Sequence, residues 1–277
     1  MAKGIGLIGN FKGKVGNMVG YQLSDSNTGN TQGIRVYQPN VKNPKTSAQA
    51  EQRAKLAPIN ATYRALKMII DRGNEGLPYG NKSRLAWLKQ AFNAEHMPWI
   101  LKGATVTSFV CCPITKGSLA GLPFGLTEER FYLHIDGMTS ETSVSTIGAV
   151  STLLVNQYPS LQNGDQITII FAIPAAEGIS AITHSFLINT TSVEATSLFE
   201  AGNEDLRIPF LYGSYGGSII VSRQGANGEH LRSNSSLVLP SEAYGIVPFT
   251  DASKTAAIES YMASDSVNSD WAEESIQ

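Results

Sequence analysis

The sequence predicts an α+β protein: a Gly-rich N-terminal arm and a helical hairpin, then an antiparallel β-sandwich or barrel domain with a C-terminal helix or tail. Three observations lead there. Charged residues make up only 16% of the 277, against 26 glycines, so Ser, Thr, Asn and Gln carry the surface polarity, as in turn-rich β-proteins. Apolar residues recur three and four apart between residues 46 and 93, the spacing of a helix face. After Gly103, short apolar runs are separated by Gly, Pro, Asn and Asp, with no stretch long enough for the helical crossovers of a parallel sheet.

The chain divides accordingly into an arm (1–45), a helical hairpin (46–103), a β-sandwich domain (104–250) and an acidic C-terminal helix and tail (251–277). In the arm, glycines at 4, 6, 9, 13, 16 and 20 interrupt any helix and weaken any strand. Short strands from Val15 to Leu23 and Gly33 to Tyr37 can pair across the turn-rich Ser24 to Gln32.

The first helix is expected from Ser47 to Arg72. Thr46 stands as N-cap with Gln49 as its capping-box partner, Pro58 as a kink or break, and Gly73 as the stop. Leu56, Ile59, Tyr63 and Leu66 form its packing stripe, with Arg53, Arg64 and Lys67 beside it. A second helix from Lys82 to Asn93 takes Asn81 as cap and presents Leu85, Leu88 and Phe92 on one face.

Strands are expected at 104–111, 131–135, 145–155, 166–173, 182–187, 194–198, 208–212, 218–223 and 236–239. A last helix, capped by Asp251, spans Asp251 to Ala263.

The net charge of -2 conceals a polar split. Residues 1–110 hold 15 Lys/Arg and 5 Asp/Glu, a net of +10, and the remainder a net of -12. The arm alone is +5, through Lys3, Lys12, Lys14, Arg35, Lys42 and Lys45 against Asp25, and the segment from Asp251 onward is -5. Such asymmetry points to a basic segment that meets a polyanion or to copies that pair head to tail; two independently solvated domains are the plainer account.

The run Gly13-Lys14-Val15-Gly16-Asn17-Met18-Val19-Gly20-Tyr21, then Arg35, then Asn43-Pro44-Lys45-Thr46 with Gln49, Gln52 and Arg53, resembles a family of uncharacterised proteins of gut Bacteroidota and their phages. The resemblance covers little more than a third of the chain, with one echo at Asn163-Gly164-Asp165-Gln166-Ile167-Thr168. It implies a basic, Gly-rich N-terminal element followed by helices and β-sandwich modules, as in a phage virion-associated protein. It carries no catalytic residue.

The chemical motifs are thin. Gly4-Ile5-Gly6-Leu7-Ile8-Gly9 matches the dinucleotide string but lacks the preceding strand and following helix that such a site needs. His96, His134, His184 and His230 fall at no metal-ligand spacing. His134 and Asp136 alternate on one strand, which reads as a surface contact. Vicinal Cys111 and Cys112 cannot form a multi-cysteine metal site; one is expected in the core and the other exposed or at an interface. No nucleophile elbow occurs, and the acids Glu128-Glu129 and Glu204-Asp205 sit in expected loops.

No catalytic residue, metal or cofactor is therefore expected, and no membrane or export segment is read from the sequence. The expected role is a non-enzymatic structural protein of a phage virion, present in the host cytoplasm during assembly. Its partners are further copies or other virion proteins, and packaged nucleic acid is a further candidate partner. The nine cations Lys3, Lys12, Lys14, Arg35, Lys42, Lys45, Arg53, Arg64 and Lys67 carry the contacts. Two alternatives stand beside it: single-stranded nucleic-acid binding through the same cations with Tyr21 and Tyr37 as stacking rings, and a carbohydrate-binding or adhesive module using Tyr212, Tyr215 and Tyr244.

Overall fold

The computed structural model describes residues 13–25, 29–37, 46–127, 130–175, 178–209, 216–226, 228–240 and 249–263. Lys3, Lys12, Lys42, Lys45, the Gly4–Gly9 string, Glu128-Glu129, Tyr212, Tyr215, Tyr244 and residues 264–277 lie outside them. The chain is α+β, with helices and several antiparallel sheets, and divides into two compact units, Met1–Lys45 and Thr46–Gln277.

The first unit contains an antiparallel sheet of β1 (Gly13–Val15), β2 (Met18–Asp25) and β3 (Gly29–Val36), in that order. Val19 stands between Lys14 on one side and Arg35 on the other, and Met18 opposite Val36.

The second unit opens with α1 (Ser47–Ala65), whose first turn is capped where Thr46 Oγ1 accepts from the Gln49 N–H at 3.3 Å. Pro58 does not divide it; the break comes at Leu66, ahead of the single turn α2 (Lys67–Ile70). The buried ridge is Ala50, Ala54, Pro58, Thr62 and Leu66, four apart, joined by Ile59. Leu56 is a correction to the expected stripe. It lies two residues from Ala54 and Pro58, about 200° round the helix, and is exposed. Tyr63 is partly buried, and its hydroxyl donates to Asp71 Oδ1 at 2.9 Å.

The small ridge of α1 admits α5 (Asp251–Ala263), whose Ala257 is fully buried in the same core. Thr250, not Asp251, caps α5 by accepting from the Ser253 N–H. The helix α3 (Asn81–Ala91) meets α1 where Trp87 tilts against Tyr63 and Arg84 lies over the Tyr63 ring. Its N-cap is Gly80 at φ 88°, a left-handed value that glycine accommodates, rather than Asn81. Its buried line is Ser83, Trp87 and Ala91, with Leu88 and Phe92 partly buried and Leu85 outside.

Two four-stranded antiparallel sheets follow. One has the order β12 (His230–Arg232), β11 (Gly216–Gln224), β7 (Gln166–Ala175), β8 (Gly178–Leu187). The other runs β5 (Gly125–Leu126), β6 (Arg130–His134), β10 (Asp205–Pro209), β9 (Glu200–Ala201). A small pair, β4 (Pro113–Thr115) with β13 (Ser235–Ser236), forms its own ladder against β11, where the Ser218 and Ser235 hydroxyls lie 2.6 Å apart.

Successive residues of β7 serve two cores. Ile167, Ile169 and Phe171 pack with Phe131, Leu133, Leu206 and Ile208 of the second sheet, whereas Ile170 and Ala172 pack with α1, α3 and α5.

Three expected strands, at 104–111, 145–155 and 194–198, are not strands. Residues 145–155 fall largely in α4 (Ile147–Gln157), with Thr146 capping by accepting from the Ala149 N–H at 3.2 Å and Val150 and Leu154 buried one turn apart. The apolar face won over the β-branched composition. Residues 104–111 make no sheet because their backbone bonds go elsewhere: the Val110 N–H donates to the buried Thr62 hydroxyl at 3.0 Å. Around 195 only an isolated bridge, Thr146 with Ala195, remains.

Candidate functional site

The expected contact residues fall in both units. On the first sheet, strand alternation separates two faces. Lys14, Val19 and Arg35 share one, with the Lys14 ammonium 3.6 Å from the centre of the exposed Tyr37 ring, a cation–π contact. Met18, Ile34 and Val36 share the other, exposed by 46, 55 and 71%. The sheet is therefore amphipathic, with its apolar face open to solvent.

In the second unit, Arg64 and Lys67 are exposed, Arg53 is half-buried, and Lys67 belongs to α2 rather than α1. Ile59 and Leu66 are core residues, so they hold the helix in place and meet no partner.

Sequence reasoning missed a groove of about 1050 Å³ in the second unit. Its wall is α2 and the loop after it, with Met68, Arg72 and Tyr79; its floor is the face of the first large sheet bearing Thr168, Ser222 and Arg232. Arg72 lies over the Tyr79 ring, Cζ 4.9 Å from its centre. Glu75 stands between wall and floor as a structural carboxylate. It accepts from the Ser118 N–H at 2.9 Å, the Ser118 hydroxyl at 2.8 Å and the Arg232 N–H at 3.0 Å. Burial works to raise the Glu75 pKa, and those hydrogen bonds outweigh it, holding the carboxyl below its ordinary range. Burial, reinforced by the Arg72 charge and only partly offset by the Glu75 charge, lowers the Arg232 pKa. No motif announces this site, since its residues come from a helix end, a loop and the strands β7, β11 and β12.

The His134–Asp136 pair is a surface contact, Nε2 to Oδ1 at 2.9 Å, extended by Gln157, whose Nε2 donates to Asp136 Oδ2 at 3.1 Å. The Gln157 and His134 hydrogen bonds hold the Asp136 carboxyl below its usual range. Cys112 is buried and Cys111 half-buried, and burial pushes both thiols up to about 12, far from thiolate reactivity at neutral pH. Among the described residues no three His, Cys, Asp or Glu side chains gather as a metal site, and no helix is long and apolar enough to cross a membrane.

Compared with protein-family models, curated proteins and solved structures, the chain matches none.

Proposed function

We propose that the protein is a non-enzymatic structural component of a phage virion, assembled in the host cytoplasm, and that its N-terminal sheet is the assembly element that docks on a second copy of the chain. One observation carries this reading: Met18, Ile34 and Val36 stand open to solvent on one face of a three-stranded sheet. A lone sheet with a bare apolar face is marginal in water and gains stability by covering it. The +10 and -12 parts of the chain add an electrostatic reason for copies to meet. The β-rich second unit, whose two large sheets share one core in the manner of a sandwich, serves as the rigid module.

A second reading is single-stranded nucleic-acid binding. It is favoured by the opposite face, where Lys14, Arg35 and Tyr37 combine cations with an exposed ring.

Light scattering of the full chain at low and high salt, with and without short single-stranded DNA, separates the two. A defined oligomer that ignores DNA and dissolves when residues 1–45 are deleted supports assembly. A monomer that binds DNA with a log–log salt slope of roughly -0.7 per phosphate neutralised overturns it in favour of the second reading.

A further inference from the structure

The inner face of the large sheet changes character along its strands. Where the helices cover it, Ile170, Ala172 and Ile220 are buried. On the same face, Thr168 lies opposite Ile220, and one step further Ser222 pairs with Arg232 of β12. Apolar floor gives way to hydroxyls and a guanidinium at the point where the groove opens beside α2.

Three arginines line this groove: Arg223 is already paired with Asp165, which leaves Arg72 on the wall and Arg232 on the floor. Among the described residues neither guanidinium forms a salt bridge. The nearest acid, Glu75, has its oxygens taken by Ser118 and by the Arg232 backbone N–H. Two like charges in a half-buried groove repel each other when the groove is empty, and an oxyanion relieves both at once. Two guanidinium forks match the charge and geometry of a phosphate better than of a single carboxylate. A volume of about 1050 Å³ is the scale of a small-molecule site. Glu229 on the rim disfavours a continuous polyanion running through it.

We infer that this groove binds a phosphate-bearing small molecule, its oxyanion held between Arg72 and Arg232 and the rest of the ligand lying against Tyr79 and the hydroxyls of Thr168 and Ser222. The phosphate is the shared chemistry, and either a nucleoside or a sugar can carry it. Tyr79 offers a ring to a base, and the floor hydroxyls offer hydrogen bonds to a sugar.

The test is calorimetric titration of the full chain with inorganic phosphate, a nucleoside 5′-monophosphate and a hexose phosphate, at constant ionic strength. Inorganic phosphate is expected to bind in the millimolar range, and one of the two organic phosphates about tenfold more tightly, which identifies the source. Arg72→Gln and Arg232→Gln are each expected to weaken binding by about tenfold or more, the cost of losing one charge-assisted partner. Thermal melting without ligand adds a readout that a purely structural role would move the other way: Arg232→Gln should melt no lower than the parent, because it removes a crowded charge. Arg72 is exposed, so its variant tests binding even if Arg232→Gln folds poorly. Absence of binding by all three phosphates at about 10 mM, or binding indifferent to both substitutions, overturns the inference.

Discussion

Asp165 grips Arg223 at two points, with Nε 2.6 Å from Oδ1 and Nη2 2.7 Å from Oδ2. The carboxylate is almost wholly buried and also accepts from the Gln162 N–H at 2.9 Å, so the turn before β7 is tied to β11 through one side chain. Asp165→Asn keeps the shape and leaves the arginine without its counter-charge. Unfolding free energy should fall by about 2–4 kcal/mol, the lower part of the range for breaking a buried pair because Arg223 reaches solvent. Urea denaturation measures it, and a loss below about 0.5 kcal/mol would place this pair among ordinary surface contacts.

Gly148 gives a prediction whose sign runs against helix propensity. In an exposed helix, Gly→Ala stabilises by about 1 kcal/mol. Here a Cβ would run into the Ser192 carbonyl oxygen, which the Gly148 N–H itself contacts at 3.2 Å. Gly148→Ala should therefore destabilise by about 1–3 kcal/mol, and a raised melting temperature would refute the close approach.

Acid should weaken the second unit through Glu51 and Glu75. Each carboxyl is held below its ordinary value of 4.5, Glu51 chiefly by the hydrogen bond from Lys55 and Glu75 by backbone donors working against burial. A lowered folded value means that this stability is fully present above about 4.5 and is lost as pH falls through the lower value. Melting temperature should stay level from neutral pH to about 5 and then drop. Glu75→Gln should be less stable than the parent at neutral pH and close the gap near pH 3; a constant gap would show that Glu75 plays no part in the acid transition.

The two faces of the N-terminal sheet separate by substitution. Ile34→Asn with Val36→Asn should abolish self-association, whereas Lys14→Gln with Arg35→Gln should spare it. Sedimentation of both variants decides it. Assembly lost in the cation variant alone would transfer the role to the Lys14 face.

Local signals were legible in the sequence where they were self-contained. Thr46 as a cap, β7 inside its apolar run and the span of α5 all follow from residues a few positions apart. Signals that depend on a distant partner were not. The stripe through Leu56 follows the largest side chains, whereas the buried ridge is mostly of smaller ones, Ala50, Ala54, Pro58 and Thr62, on a helix against which α5 lies. Residues 145–155 have strand composition, and only Val150 and Leu154 meeting a core make them a helix. Of the candidate contacts, Lys14 and Arg35 occupy one sheet face by a register that alternation alone implies once the turn is placed. The Arg72–Arg232 groove had no local signature, because its two charges approach only after the sheet has formed.

Ile169 and Ile170 are neighbours in the chain and commit their side chains to opposite interiors. Melting either interior pulls a strand out of the other, so neither can serve as a stable refuge while its counterpart opens. β7 is then the keystone of the second unit, and its amides should be among the last to exchange with solvent.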